Sequence, residues 1–505
     1  MILLNGDGLN LESFIKVARF KEQVEIGLDH KNDVIKSRAY VEDIVNSEKT
    51  VYGINTGFGK LSDRPIGKDD VQKLQENLLK SHACTMGDYM PEEVVRGMML
   101  LRVNALIRGF SGIRLKVIEK IVEMLNKDVV PVVFKQGSLG ASGDLAPLSN
   151  MSLPLIGLGE CFFKGERKST KVAFQEAGIM SLARLKAKEG LALINGTQAM
   201  TSMAAFTVYE GLKLLELSNV SLALTLEALH GITDAYDPRV HAVRGQIGQI
   251  EVAKNVLTYL DGSEYTTKQG ELRVQDAYSL RCAPQVHGAS LDALLHVRDK
   301  VEIEMNAVTD NPILFADEED AISAGNFHGQ PMALIIDYMK IALSELANIA
   351  ERRIERLVNP NLSNGLPPFL ALNPGINSGF MIVQYSAASI VSYNKVLAHP
   401  ASVDSISSSA NQEDHVSMGT NGALQALDIL SNVQKVIGME FMTACQGIDI
   451  RDKRNLGVTT NKAYNIIREN IPFIKEDDVM YPHLHKAEEL VSSSKLYDAL
   501  FGGLK

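Results

Sequence analysis

Five long stretches with few helix breakers dominate the chain beyond about residue 195 and leave little choice of fold. The clearest follows Gly329, Gln330 and Pro331: Ile335, Met339, Ala342, Leu346 and Ile349 step by four and three, while Asp337, Lys340, Glu351 and Arg352 lie elsewhere around the turn. Residues three and four apart share a helix face, so this is an apolar stripe that must be covered. The same spacing runs through 198–229, 285–305, 381–397 and 422–445. Many long amphipathic helices pack side by side, which predicts a mainly α protein with an elongated central helical bundle. Helices apolar on several sides also pack against copies of themselves, so a homo-oligomer is expected.

Before residue 195 the pattern is mixed, with short apolar runs such as Val129–Phe134 alternating with Gly, Pro and Asn turns. The expected division is an N-terminal domain over 1–197 and a long-helix bundle with a C-terminal helical region over 198–505. Two irregular segments interrupt the helical part, 357–375 and the serine-rich 401–415. Connections of that length in a compact protein commonly carry function.

Composition narrows the partners. A net charge of −10 over 505 residues argues against nucleic acid or an anionic membrane surface, both of which call for clustered Lys and Arg. No run of about 18 apolar residues is present, and the first ten residues do not resemble a signal peptide, so a cytoplasmic protein acting on a small molecule is expected. Cys84, Cys161, Cys282 and Cys445 are scattered without C-x-x-C spacing, which fits reduced thiols. The histidines form no H-E-x-x-H, and His483 and His485 stand two apart, a spacing that points them to different helix faces, so no protein-bound metal is expected.

The most unusual short stretch is Gly137–Asp144, GSLGASGD. A nucleophile elbow would need glycine two residues after Ser142, where Asp144 stands. Its glycines fall three apart, at 137, 140 and 143, not as G-x-G-x-x-G, and in the other Gly-rich stretch Lys60 is followed by Leu61, not Ser or Thr. What Ala141-Ser142-Gly143 does permit is attack of the Gly143 amide nitrogen on the Ala141 carbonyl, because nothing bulky crowds either atom. Ring closure and dehydration of the serine leave a five-membered ring with an exocyclic methylidene. That is an electrophile, which no ordinary side chain supplies.

With its context, GSLGASGDLAPLS resembles the signature of the histidine, phenylalanine and tyrosine ammonia-lyase family. The resemblance extends along almost the whole chain through VYGINTGFG, LINGT, YSLRCAPQVHG, DNPI, GNFHG and NQEDHVSMGTN. It implies a helical fold related to that of the fumarase and aspartase lyases, and an autocatalytic methylidene-imidazolone made from Ala141, Ser142 and Gly143 with no external cofactor. It also implies elimination of ammonia from an L-amino acid to give an unsaturated acid, in a homotetramer whose sites draw on three subunits. By the same resemblance Tyr52 takes the β-proton, with Tyr278 a second candidate in proton handling. Arg281 forks onto the substrate carboxylate, and Asn195, Gln275 and Phe327 stand by the prosthetic group. An ordinary tyrosine has a pKa of about 10, so Tyr52 would need about 4 kcal/mol of help from helix N-termini or a cation to act near neutrality.

Glu413 sets the expected substrate; Ser81-His82, a pair that resembles histidine-specific members and is also carried by some bacterial tyrosine-specific ones, points the same way. Glu413 matches the carboxylate of histidine-specific members, where those acting on phenylalanine or tyrosine commonly carry an amide or a shorter side chain. A carboxylate accepts from an imidazole N–H, whereas a phenyl ring would leave it unpaired. His82 either holds the other ring nitrogen or is a satisfied core histidine. The expected reaction is L-histidine to urocanate, the first step of histidine degradation. A tyrosine or phenylalanine lyase, an aminomutase, or a non-catalytic helical scaffold are the alternatives.

Overall fold

The structure is a computed structural model that describes every residue except Glu48, Lys68, Asp69, Ala183, Leu504 and Lys505. Helix accounts for 58% of the chain, against roughly a third in an average globular protein, so the protein is mainly α. Each periodic stretch forms one helix: Gln198–Ala228, Ala283–Met305, Gln330–Val358, Met381–Leu397 and Gly419–Ile450. In the third, Ile335, Met339, Ala342, Leu346 and Ile349 are all buried, as their spacing requires.

Two compact units result, and a single cut at 197/198 does not separate them. The first gathers residues 1–206, 298–337 and 400–424; the second gathers 207–297, 338–399 and 425–505. Residues 298–337 and 400–424, expected with the bundle, belong instead to the N-terminal unit. Local periodicity identifies a helix but not which neighbours cover its two ends, and four of the long helices carry residues of both units.

Among the described residues, the first unit combines helices with four small sheets of two or three strands. Val130–Pro131, Glu160–Phe163 and Glu166–Ser169 form an antiparallel sheet in that spatial order, and Met86–Tyr89 pairs with Phe134–Gln136. Its central element is helix Glu92–Leu106, where every residue from Val94 to Leu106 is buried. Two of those residues are arginines, and each donates to backbone carbonyls. Arg96 donates to the carbonyls of Val17, Ala18 and Leu125 at 2.9, 3.1 and 3.0 Å, satisfying the ends of helices Leu11–Ala18 and Leu115–Asn126. Arg102 Nη1 donates to the carbonyls of Asn195 and Thr309, both at 3.1 Å, and so ties down two loops that border the site described below.

The second unit is helical around a buried polar cluster. Arg353 and Glu440 pair with both side chains fully buried, Nη2 standing 2.9 Å from Oε2. Ser221 and Thr225 hydroxyls donate to the same carboxylate at 2.8 and 2.9 Å. His287 Nε2 faces Arg353 Nη1 at 3.3 Å, so it accepts, and Nδ1–H donates to Asn219 Oδ1 at 2.8 Å. Burial, with Arg353 alongside, holds His287 well below the ordinary imidazole range. A buried ion pair is tolerated only when its remaining lone pairs and protons are satisfied, as these hydroxyls do here.

Candidate active site

The Ala141-Ser142-Gly143 loop enters from strand Phe134–Gln136 and leaves into helix Leu145–Ser152. Gly143 holds φ +72°, and a Cβ there would meet the Gly196 carbonyl oxygen at 2.2 Å. Asp144 N–H donates to that same oxygen at 2.7 Å, so two glycine loops lie back to back with no room for a side chain between them. Both the sign of φ and the close approach demand glycine.

Asp144 anchors the loop from behind. Fully buried, it accepts the Ala199 and Met200 N–H groups on Oδ2, both at 2.9 Å, at the start of helix Gln198–Ala228. Those are unsatisfied donors at the positive end of a helix, where an anion is stabilised. Thr420 and Ser138 hydroxyls donate to Oδ1. Burial is the largest influence and pushes the carboxyl up to about 6, against these four donors. The sequence reading passed over Asp144 although it directly follows the tripeptide.

Ser142 faces a cavity of about 820 Å³ lined by first-unit residues, among them Tyr52, His82, Asn195, Phe327 and Glu413. Asn195 Nδ2 donates to the Ser142 carbonyl oxygen at 3.0 Å, and Ser142 Oγ donates to Glu413 Oε1 at 3.0 Å. Ser408 Oγ donates to the other carboxylate oxygen at 2.9 Å, and the backbones of Ser408 and Glu413 pair with each other. Between them Ser409, Ala410 and Asn411 all take left-handed φ, at 51°, 52° and 65°. Each such residue costs roughly 1–2 kcal/mol, so this tight turn is held by its surroundings, and it carries Glu413 to the serine. Ser408, like Asp144, was not singled out from the sequence; the run of serines before Glu413 was its only signal.

His82 ends helix Val71–His82. Its Nδ1 stands 2.9 Å from the Leu78 carbonyl and 3.0 Å from Ser81 Oγ, while Ser81 Oγ itself donates to Leu78 O at 3.2 Å. A carbonyl only accepts, so Nδ1 carries the proton and Nε2 has the free lone pair. Burial lowers the imidazole pKa despite the Leu78 carbonyl and Glu413, which favours this neutral form.

Tyr52 reverses one expectation. Burial, then the Glu413 and Asp310 carboxylates, raise its pKa above the ordinary phenol value; only the Gly59 N–H, donating at 3.4 Å, pulls it down. Asp310 is itself paired with Lys188 at 2.9 Å, both fully buried, which blunts that cation's reach. The first unit therefore does not supply the lowering that a base near neutrality requires.

Gln275, Tyr278 and Arg281 belong to the second unit and are not among the residues lining this cavity. Tyr278 begins the short helix Tyr278–Arg281 and is 71% exposed. The Arg281 guanidinium lies 4.7 Å from its ring centre, and Arg281 Nε donates to the Asp276 carbonyl at 2.9 Å. Gln275 is exposed just before that helix.

A tripeptide of small residues with a left-handed glycine thus faces a cavity that also holds a tyrosine, a histidine and a carboxylate, the arrangement expected of an amino-acid lyase. The family of aromatic amino acid lyases matches residues 9–469, and the chain belongs to that family, an enzyme of the carbon–nitrogen lyase class. It is 54% identical over 499 residues to the histidine ammonia-lyase of Alkaliphilus oremlandii, covering 99% of this chain and 98% of the relative. Among solved structures, the histidine ammonia-lyase of Trypanosoma cruzi superposes with a TM-score of 0.91 at 39% identity, covering 99% of this chain and 94% of that one. The tyrosine aminomutase of Streptomyces globisporus superposes at 0.95 with 33% identity, covering 99% and 98%. One fold thus carries different substrates, so selection rests on side chains in the cavity. Among the described residues no helix is long and apolar enough to cross a membrane.

Proposed function

We propose that this enzyme eliminates ammonia from L-histidine to give urocanate, with an electrophile formed from its own Ala141, Ser142 and Gly143. The observation that carries the reading is the Glu413 carboxylate 3.0 Å from Ser142 Oγ at the cavity wall, which joins the substrate selector to the reactive tripeptide. The tripeptide suits a methylidene-imidazolone: both ends of the ring-forming segment are small, the Gly196 cradle admits no side chain, and Asn195 holds the Ser142 carbonyl. That group supplies an electrophilic carbon that turns the substrate amine into a leaving group. Glu413 accepts from an imidazole N–H, and the His82 Nε2 lone pair faces the other side of the ring. Tyr52 takes the β-proton, Phe327 flanks the tripeptide, and Asn195 orients it.

Arg281, Tyr278 and Gln275 complete the site from other copies of the chain, Arg281 holding the substrate carboxylate with its two-pronged geometry. Support comes from helix Met381–Leu397, a mostly apolar helix in which only Val383, Ala387 and Asn394 are buried. Ile382, Tyr385, Tyr393 and Val396 are each more than half exposed, a face that fits a homotetramer with shared sites. The enzyme works in the cytoplasm on its small-molecule substrate.

The test is ammonia release by the purified enzyme offered L-histidine, L-tyrosine and L-phenylalanine in parallel, with the ultraviolet spectrum of each product. Turnover of histidine alone is expected, from a particle of four chains by light scattering. Preferred turnover of an aromatic substrate would reassign the cavity. Per mature active site, Glu413→Gln should lower kcat/KM for histidine by roughly 10- to 100-fold, the loss of one hydrogen bond to a charged group, and spare any residual phenylalanine turnover.

A further inference from the structure

We propose that Glu413 has an earlier task than binding substrate: it carries out the dehydration of Ser142 that completes the electrophile, assisted by Asn195. The inference rests on the reading of Ala141-Ser142-Gly143 as a self-cyclising tripeptide. In the unconverted chain the two side chains already hold the two atoms at which an elimination needs help. Glu413 Oε1 stands 3.0 Å from Ser142 Oγ, the leaving oxygen, and Asn195 Nδ2 donates at 3.0 Å to the Ser142 carbonyl, where charge develops when the α-proton is lost. The Ser408 hydroxyl, donating to Oε2 at 2.9 Å, holds the carboxylate so that Oε1 meets the serine.

The step balances without any co-reactant. Attack of the Gly143 nitrogen on the Ala141 carbonyl closes the ring and releases one water, leaving the Ser142 α-hydrogen between a carbonyl and a carbon–nitrogen double bond and so acidified. The Glu413 carboxylate takes that proton, the electron pair of the Cα–H bond becomes the Cα–Cβ double bond, and the Cβ–Oγ bond breaks. The same carboxyl returns the proton to the departing hydroxyl, so a second water leaves and the carboxylate is restored. With Oγ gone, Oε1 has lost its partner and is free for a substrate N–H. One carboxylate thus serves twice in succession, and its second task opens only when the first is complete.

The test reads intact mass, not activity. Wild-type chain and Glu413→Gln are made by cell-free synthesis, and the form lighter by two waters is followed with time. The glutamine keeps the size and a hydrogen-bond partner for Ser142 but cannot take the proton. Conversion about a hundredfold slower is expected, the usual contribution of a positioned acid–base group. Glu413→Ala should be equally slow and should recover at least tenfold in added acetate but not in chloride of equal ionic strength. Wild-type conversion rates in Glu413→Gln would overturn the assignment while leaving the proposed function intact. A slow Glu413→Ala that acetate does not help would also overturn it, because a merely structural carboxylate behaves that way. A wild-type chain that never loses two waters would instead remove the electrophile reading itself.

Discussion

As the base proposed above, Tyr52 poses a quantitative problem. A base must be deprotonated to act, yet burial and the Glu413 and Asp310 carboxylates hold this phenol above its ordinary value, so the chain alone leaves it protonated through neutral pH. A single guanidinium about 4 Å away in a medium of effective dielectric about 20 is worth about 4 kcal/mol, near a thousandfold in the ionisation equilibrium. Arg281, which we propose reaches the site from another copy, would be the source. Because the starting point lies above the ordinary phenol, one cation does not bring full ionisation at neutrality. The log of kcat/KM for histidine should therefore climb with pH through the neutral range and level off only on the alkaline side. Replacing Arg281 by Gln removes the cation, moves that rise further toward alkaline pH and weakens substrate binding; Lys, which keeps charge but not the fork, should restore the position of the rise better than the binding. Tyr52→Phe should cost roughly 10²- to 10⁴-fold in kcat, the span of general-base contributions, with the loss of two waters unchanged. Its stability should barely move, since the Gly59 contact at 3.4 Å is long. The assay is urocanate absorbance between pH 6 and 10 on enzyme of verified mass. A profile flat across that range, or Tyr52→Phe retaining more than a tenth of the rate, would refute the reasoning and pass the role to Tyr278.

Three further outcomes are expected. Ser142→Ala removes the methylidene source and should give a folded oligomer of normal circular dichroism with turnover lost by several orders of magnitude. Gly143→Ala forces a Cβ into the Gly196 carbonyl at 2.2 Å in a left-handed backbone, so loop displacement should abolish the loss of two waters measured by intact mass, with a destabilisation of roughly 1–3 kcal/mol from overpacking. Glu440→Gln strands Arg353 as an uncompensated buried charge and should cost about 3–5 kcal/mol, visible as a lowered thermal midpoint with little change in the mature mass of the remaining folded enzyme.

How far composition and pattern reach is clear from particular residues. The stripe from Ile335 to Ile349 identifies its helix because periodicity near 3.6 is a local property of the backbone, and each of its members is indeed buried. Ala141-Ser142-Gly143 is equally local: small residues and a left-handed glycine are written in the tripeptide itself. Ser408 and Asp144 went unread because a hydroxyl that steadies a carboxylate, or a carboxylate on a helix N-terminus, has no signature until its partner is known. The meeting of Ser142 with Glu413 spans 271 residues of chain. It depends on the left-handed turn at 409–411 and on residues 400–424 joining the N-terminal unit. The direction of the Tyr52 shift has the same origin. Charge type is a property of sequence, but the sign of an electrostatic effect depends on which charges stand near and how much water remains between them, and both are consequences of tertiary packing. Local spacing was enough for the helices and for the small-residue tripeptide; which carboxylate meets the serine, and which charges surround the tyrosine, follow only from the folded chain.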